Sequence, residues 1–372
     1  MSDKIDTIKE EEEDFYSNDD LYNINSWGAD LSFRELITMY EENELVKPEL
    51  QRKYVWDKAE ASRFIESILL GLPVPSIFLA NTKDEQKLII DGFQRIMTVN
   101  DFVAGIWSKD KKIFKLSNSE KINPKWKGKA YKELSDTEQR RIKSTTIHAI
   151  IFEQKSPKRG DTSLYQIFER INTSGRSLLP QEIRNCVYQG DFNTLLFELN
   201  KNEKWRTMFG EDKEDERMRD MEFILRFFAL DSNEIKKMKK GGISLKKFLN
   251  EYMGSEDSSK PAILKRRKTQ FEDVIDFIYS KFGEDAFYNV QSNDLKTIRK
   301  RFYPTVFDSL MIATSIALEN GFTTTKKDLE PKRLLLLKDK EYRQHITEGT
   351  MKIESIHGRI SIALKTLYGM DY

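Results

Sequence analysis

Cysteine and histidine are scarce in this sequence, which has one cysteine, Cys186, and three histidines in 372 residues. A single cysteine excludes an intramolecular disulfide bond, and so few cysteine and histidine side chains leave no ordinary Cys/His zinc cluster. This usage is typical of a reducing compartment, so we expect a cytoplasmic protein.

Long apolar runs are also missing. The most apolar stretch, residues 65–80, is interrupted by Glu66, Pro73 and Pro75, and it is shorter than the roughly 20 apolar residues that span a bilayer. The first ten residues, MSDKIDTIKE, contain no apolar core of the kind found in signal peptides. We therefore predict that the chain has no membrane partner.

Neither positive nor negative charge dominates the sequence. The 62 Lys and Arg residues almost balance the 61 Asp and Glu residues, which leaves a formal net charge of +1. This balance excludes a protein that coats nucleic acid through an overall positive charge. A contact with nucleic acid would have to come from a local cluster of basic residues.

Composition and periodicity divide the chain into three regions. Residues 1–25 include an acidic run at 10–14 and few apolar residues, which predicts a disordered acidic tail. Strand-like and helical patterns alternate from residue 26 to residue 186, whereas the periodic stretches of residues 187–372 are nearly all helical. We therefore predict the α+β class: a mixed domain at 26–186, followed by a mostly α-helical domain at 187–372.

A helix, a hairpin and a second helix are predicted near the middle of the first domain. Asp57 and Glu60 form a capping box for a helix that ends at Gly71. Two short apolar runs, 76–80 and 87–91, flank a polar turn and predict a β-hairpin. Helical spacing resumes directly after the hairpin, so its second strand leads into a helix N-terminus.

That junction has the sequence Asp91-Gly92-Phe93-Gln94-Arg95. The N–H groups and the positive end of a helix favour an anion. Gly92 lets the backbone approach a ligand, Arg95 can donate a planar pair of hydrogen bonds to phosphate, and Asp91 can hold a divalent cation. The same residues also fit a structural junction in which Gly92 makes a turn, Asp91 caps the helix and Arg95 pairs with a surface carboxylate. For the pentapeptide alone, the structural interpretation is the commoner one.

Several further segments give the chain a resemblance to a known family. They are, in order, residues 48–56 (PELQRKYVW), 71–75 (GLPVP), 91–95 (DGFQR), 168–178 (FERINTSGRSL) and 181–185 (QEIRN). Together they resemble the N-terminal domain of GmrSD-type modification-dependent restriction enzymes, also catalogued as domain of unknown function 262, within the ParB and sulfiredoxin superfamily. The resemblance covers roughly half of the chain.

The resemblance implies a ParB/sulfiredoxin-like domain, with a small mixed sheet and flanking helices, that binds or hydrolyses a nucleoside triphosphate (NTP) with Mg²⁺. It implies catalytic roles for Asp91 and Gln94, with Asp91 also as the metal ligand. The nucleotide-binding residues that it implies are Gln51, Arg52, Gly92 and Arg95. Asn172 could line the same pocket, although the turn that ends a helix explains this residue without a ligand.

One departure from the family pattern affects the predicted hydrolysis. The family loop usually reads Asp-Gly-Gln-Gln-Arg, whereas this chain has Phe93 at the middle position. If the missing amide contacts the base or the attacking water, hydrolysis is weakened or lost while binding survives. Phe93 could equally point into the core.

A second departure concerns nuclease activity. Family members that cut DNA generally carry an HNH-like motif in a second domain, whereas the second half of this chain offers only His345 and His357, without a nearby histidine partner. We therefore predict that the chain alone does not cleave DNA. Carboxylates gathered only by the fold would defeat this reasoning, the candidates being Glu272, Asp273, Asp276 and Asp308.

A basic insertion is predicted at residues 108–145, where 12 Lys and Arg residues face five Asp and Glu residues. Such an excess could contact the phosphate backbone of DNA, with an interleaved aromatic ring stacked on a base. The candidate contacts are Lys125, Lys127 and Lys129. A solvated insertion anchored by its tryptophans is the commoner explanation of this pattern.

These predictions describe an NTP-binding and NTP-hydrolysing sensor or regulatory component of a prokaryotic restriction or anti-phage system. Its expected partners are DNA and a separate nuclease or other defence protein. The alternative is a DNA-binding or protein-interaction module with a vestigial nucleotide pocket and no catalysis. Phe93 favours the alternative, whereas the intact Arg52 and Arg95 favour the first hypothesis, so whether the chain is an enzyme stays open.

Overall fold

A computed structural model of the chain describes residues 5, 6, 8, 24–46, 56–82, 85–154, 162–171, 178–215, 217–255, 260–291, 297–323 and 326–372. A five-stranded sheet with flanking helices is followed by a mostly helical region, so the predicted α+β class is confirmed. The ParB superfamily placement stays a prediction. Among the helices described, none has the length and apolar character required to traverse a lipid bilayer.

The N-terminal half contains the strands of the larger sheet. Its elements are, in chain order, β1 (Ile24–Ser32), α1 (Phe33–Glu41), β2 (Leu45–Val46), α2 (Lys58–Leu70), β3 (Ile77–Asn81), β4 (Lys87–Asp91), α3 (Phe93–Ala104), α4 (Asp136–Ser144), β5 (Thr146–Gln154), α5 (Ser163–Ile171) and α6 (Pro180–Val187). The strand order is β1-β5-β3-β4-β2. The β1–β5 and β3–β4 pairs are antiparallel, whereas β3–β5 and β2–β4 are parallel.

The predicted helix–hairpin–helix unit is confirmed. Asp57 caps α2 by accepting hydrogen bonds from the backbone N–H groups of Ala59 and Glu60, and the Glu60 carboxylate accepts from the N–H of Asp57 in return. Gly71 ends α2 in the left-handed conformation, with φ of 73°. These local signals explain why a sequence with few strong apolar runs still fixes the element boundaries here.

Each face of the sheet packs against its own helices. Ile77, Leu79 and Ile89 belong to a core shared with α1, α2, α3 and α4, which we call the insertion-side core because residues 107–134 also pack into it. Leu88 and Ile90 point to the other face and pack with α5 and α6. We call this smaller group the α5–α6 core.

The C-terminal half is built from helices and one short strand pair. Its elements are α7 (Asp191–Leu199), α8 (Glu203–Phe209), α9 (Arg219–Leu230), α10 (Asn233–Lys237), α11 (Leu245–Met253), α12 (Pro261–Phe282), β6 (Tyr288–Val290), β7 (Ile298–Phe302), α13 (Pro304–Glu319), α14 (Lys326–Lys338), α15 (Lys340–Thr347) and α16 (Ile353–Tyr368). Trp205 is fully buried among five phenylalanines of this half. The helical prediction missed β6 and β7, because strands of three and five residues are too short to establish a period.

Ion pairs join α5 and α6 to the C-terminal half. Glu222 of α9 lies 2.8 Å from Nη1 of the fully buried Arg184 of α6. Lys246 of α11 pairs with Glu169 of α5 at 2.9 Å. Because a buried guanidinium requires a fixed partner, the two halves are held together by specific polar contacts as well as by apolar packing.

The described part of the predicted acidic tail contacts the C-terminal half. The backbone N–H of Asp6 donates to the carbonyl oxygen of Phe302 at 2.9 Å, and the Asp6 carboxylate lies 3.0 Å from Nη1 of Arg299. Ile5 forms a parallel bridge with Phe302. Residues 9–23 lie outside the described residues, so a disordered tail there stays a prediction, as do the predicted domain boundaries.

Candidate functional site

Gly92 alone separates the end of β4 from the start of α3. Its φ of 107° lies in a region that L residues rarely adopt. A Cβ atom at this position would lie 2.3 Å from Cγ2 of Ile77, so a side chain has no room either. Gly92 cannot cap the N–H groups of α3 with a side chain, and the first turn holds no acidic residue. The positive end of this helix is therefore not neutralised by its own first turn.

Asp91 and Arg95 meet beside this helix end. Nη2 of Arg95 forms an ion pair with Oδ2 of Asp91 and also donates to the carbonyl oxygen of Ser76 at 3.2 Å. The Arg95 side chain is 15% exposed, whereas that of Asp91 is 44% exposed. Nε of Arg95 is buried and has no hydrogen-bond partner among the described residues. The guanidinium is thus held in place through Nη2, and not all of its donors are used by the described residues.

A β-bulge sets the direction of Asp91. Phe78 pairs with Asp91 and Leu79 pairs with Ile89, so Ile90 is an extra residue on β4. In a regular strand Asp91 would follow Ile89 into the insertion-side core. The bulge instead places Asp91 opposite Phe78, whose ring packs against the α5–α6 core. Bulges often re-aim a side chain in this way next to functional sites.

The first Gln-Arg motif lies outside the described residues, including Gln51 and Arg52. Its two described flanks both contact this region. Val46 pairs with Leu88 of β4, and the backbone N–H of Trp56 donates to Oε1 of Gln94 at 3.3 Å. Gln94 thereby holds the end of that segment beside the first turn of α3.

Asn172 also lies outside the described residues. The described residues on either side of its segment, Ile171 and Leu178, both pack against the α5–α6 core. This core includes Ile90, the residue before Asp91. The segment therefore begins and ends on the sheet face to which the bulge turns Asp91.

Phe93, which replaces the usual glutamine of the family loop, points into the insertion-side core and is 4% exposed. The side chain therefore packs rather than facing a ligand. The described site consequently has an apolar ring where the family pattern has an amide.

The basic insertion folds onto the domain around buried aromatic rings. Trp107, Trp126 and Tyr131 are all buried in the insertion-side core, so their rings are not exposed for stacking on a base. Nζ of Lys125 lies 2.7 Å from Oε1 of Glu138, which also accepts from the indole N–H of Trp126 at 2.8 Å. The Lys125 and Trp126 hydrogen bonds hold the pKa of the Glu138 carboxyl well below its usual range. Lys127 and Lys129 are half-buried.

The two histidines of the C-terminal half contact different partners. Nδ1 of His345 is 3.4 Å from Oγ of Ser355, and Nε2 of His357 donates to the carbonyl oxygen of Ile235 at 3.0 Å. Within the described ranges, no three His, Cys, Asp or Glu side chains are grouped as a metal site. Cys186 is fully buried, and burial raises the pKa of its thiol.

Three of the four candidate carboxylates for a cleavage site, Glu272, Asp273 and Asp276, lie on α12, whereas Asp308 lies on α13. Asp308 is fully buried, with Oδ1 2.6 Å from Nε of Arg226 and Oδ2 2.9 Å from Nη2 of Arg359. Asp276 lies at the surface and pairs with Lys204 at 2.8 Å. Asp308 therefore pairs with two interior arginines, whereas Asp276 faces solvent.

Sequence reasoning missed one polar pair at this end of the sheet. Asp30 of β1 and His148 of β5 are direct neighbours in the antiparallel register. The signal available was the alternation of apolar Ile147, Ala149 and Ile151 with other residues, which places His148 on the opposite face. The partner could not be inferred, because the two residues come from distant parts of the chain.

The protein-family model described as GmrSD restriction endonuclease, N-terminal domain, matches residues 11–189 of the chain. Residues 11–189 therefore belong to that domain family, and the resemblance carried by the motifs is confirmed. Membership associates the chain with restriction or defence systems. Neither the curated proteins nor the solved structures contain a significant match to the chain.

Proposed function

We propose that the chain binds an NTP with Mg²⁺ at the β4–α3 junction and hydrolyses it. In this proposal it is a sensor or regulatory component of a prokaryotic restriction or anti-phage system that acts with DNA and a separate nuclease. The observation that carries the proposal is the convergence of Asp91 and Arg95 across Gly92 at the N-terminus of α3.

The junction supplies two kinds of phosphate contact. The N-terminus of α3 offers backbone donors and the positive end of the helix dipole, and Gly92 has no side chain to block the approach. Arg95 adds a guanidinium that Ser76 already orients. A hydrogen bond of this charged type is worth roughly 1.5–3 kcal/mol. Both contacts favour the ionised polyphosphate of an NTP over a neutral ligand.

Mg²⁺ fits this site only as a companion of the nucleotide. Asp91 is a single, partly exposed carboxylate, and the described residues hold no ready-made metal cluster. Mg²⁺ is commonly bound through one or two carboxylates together with substrate phosphates and water. Asp91 would hold the ion in that manner, and the ion would neutralise phosphate charge.

A second candidate function is binding without hydrolysis. It is favoured by Phe93, which buries an apolar ring where an amide is usual. In this alternative the junction holds a nucleotide, or a remnant of its pocket, within a DNA-binding or protein-interaction module. Arg95 and Asp91 would then serve affinity alone.

Nucleotide binding and phosphate release separate these functions. We expect the purified chain to bind at least one of the four NTPs with Mg²⁺ and to release phosphate from it, with DNA changing the rate. Binding without release, both with and without DNA, would support the second function. Absence of binding to all four NTPs would contradict the first function and would leave only the form of the second in which the pocket is a remnant.

A further inference from the structure

His148 and Asp30 form a polar pair at the same end of the sheet as Asp91 and Arg95. Nδ1 of His148 lies 2.8 Å from Oδ1 of Asp30. The side chains are 50% and 72% exposed, so water reaches both. Because a carboxylate oxygen accepts, Nδ1 is the donor in this hydrogen bond, and in a neutral imidazole the lone pair then lies on Nε2.

Gly28 supports the orientation of the imidazole. A Cβ atom at Gly28 would lie 2.6 Å from Cε1 and 2.9 Å from Nε2 of His148. The ring therefore lies over the backbone of β1 in space that a side chain would occupy. Asp30 on one side and the bare backbone of Gly28 below fix the position of the ring.

The strand register brings this pair towards the candidate nucleotide site. Ile147 and Ala149 point into the insertion-side core, so His148 points to the other face, where the bulge directs Asp91. Ile77 pairs with Ala149 in the parallel β3–β5 register. Continued by one residue, that register sets His148 beside Ser76, whose carbonyl oxygen accepts from Arg95.

The distance between β5 and β4 allows side chains of both strands to contact one substrate. Neighbouring strands are about 4.8 Å apart, so the backbones of β5 and β4, with β3 between them, are separated by about 10 Å. Side chains that extend from both strands on one face can reach opposite sides of a bound phosphate group. The exposed fractions of Asp30, His148 and Asp91 show that this end of the sheet is open to solvent.

We propose that His148 is the general base for NTP hydrolysis and that Asp30 is its positioning residue. The inference rests on the proposed function and deepens it, because it supplies the water-activating group that Phe93 cannot provide. The oxygen of water forms a bond to the γ-phosphorus as the bond from that phosphorus to the β,γ-bridging oxygen breaks. The leaving nucleoside diphosphate takes the electron pair, and Nε2 of His148 takes a proton from the water. His148 then returns that proton to solvent.

An exposed cross-strand pair also has a purely structural explanation. Such a pair stabilises a sheet only modestly, because water screens exposed charges. This explanation predicts a small change in stability and no change in turnover. The general-base role predicts a large loss of turnover. The two are therefore separated by measuring kcat and the nucleotide Kd in the same variants.

The test uses three variants and one control variant of the full chain. We expect His148→Gln to lower kcat by about 10²–10⁴-fold, the usual contribution of general-base catalysis, with the NTP Kd unchanged. Asp30→Asn should also lower kcat at unchanged Kd, because an amide that donates to Nδ1 leaves the proton on Nε2. Asp30→Glu should restore part of the rate, since a carboxylate returns. Thr146→Ala, on the same face two residues before His148, is the matched control and should leave kcat unchanged.

Added imidazole gives an independent readout. We expect it to restore part of the turnover of His148→Ala and none in Asp91→Asn. Wild-type kcat in His148→Gln would overturn the inference while the proposed function stands. NTP binding without turnover by the wild-type chain would overturn it as well and would leave only nucleotide binding. If the wild-type chain binds no NTP, the proposed function fails first and the inference fails with it.

Discussion

Arg95 lies against Asp91 across the single residue that joins β4 to α3, and the carbonyl oxygen of Ser76 holds the same guanidinium nitrogen. The Arg95 side chain is thus positioned by contacts within the protein. Pre-ordering lowers the entropic cost of binding, because the Arg95 side chain does not need to be immobilised by the phosphate. This relationship is the structural basis of the following expectations.

The conformation of Gly92 should be needed for folding as well as for ligand approach. We expect Gly92→Ala to lower the free energy of unfolding by about 2–5 kcal/mol, because positive φ costs about 1–2 kcal/mol and overpacking against Ile77 costs about 1–3 kcal/mol. Gly105→Ala, at the other end of α3, is the matched control. It has φ of 83° and no atom within 4 Å of a built Cβ, so only the backbone cost applies. Equal losses of unfolding free energy in Gly92→Ala and Gly105→Ala, measured by urea denaturation, would show that Ile77 moves aside without an energetic cost.

Asp91 should matter more for turnover than for affinity. We expect Asp91→Asn to abolish phosphate release while it weakens NTP binding far less, because an amide holds Mg²⁺ poorly but still fits beside Arg95. Calorimetry and phosphate release on the same preparation would measure both. Unchanged turnover would assign Asp91 to a structural role at the junction.

The stability of the insertion should depend on pH through Glu138. Its folded-state pKa is lowered by the hydrogen bonds from Lys125 and Trp126. The resulting stability is fully present above the unfolded-state pKa, about 4.3 for glutamate, and is lost as the pH falls from there towards the lower folded-state pKa. We expect Glu138→Gln to lower Tm at pH 7 and to reduce the loss of Tm between pH 5 and pH 3. Exposed Glu120→Gln is the control, and an acid profile of Glu138→Gln that matches the wild type would refute this assignment.

Any DNA contact of the insertion should come from Lys127 and Lys129 rather than from Lys125. The ammonium group of Lys125 is already paired with Glu138. We expect Lys127→Gln with Lys129→Gln to reduce the slope of log affinity against log salt by about two, and Lys125→Gln alone to leave it nearly unchanged. A slope that stays constant in both variants would leave these lysines without a role in DNA binding.

Local signals explain what could be predicted from the sequence. The capping box at Asp57, the left-handed Gly71 and the apolar runs around the hairpin act within a few residues, so α2, β3, β4 and α3 could be placed. The Asp91–Arg95 pair was not predicted, since the sequence assigned Arg95 only a phosphate or an unspecified surface carboxylate as its partner.

Long-range pairing explains what could not be predicted. His148 and Asp30 are 118 residues apart and meet only because β1 pairs with β5. The bulge at Ile90, which turns Asp91 to the other face, depends on the β3–β4 register and leaves no period in the sequence. Burial of Trp126 depends likewise on how the insertion folds over α2 and α4, which composition does not specify.

The most direct test of the central claim is calorimetric titration of the wild-type chain, Arg95→Ala and Arg52→Ala with each of the four NTPs and Mg²⁺. Arg140→Ala, which removes an exposed arginine of α4, serves as the control. We expect the wild type and the control to bind at least one NTP. We expect NTP affinity to fall roughly tenfold or more in both Arg95→Ala and Arg52→Ala, as for the loss of a charged hydrogen bond. Wild-type affinity in both of these variants, each shown to be folded, would contradict the proposed role of Arg95 and Arg52 in NTP binding.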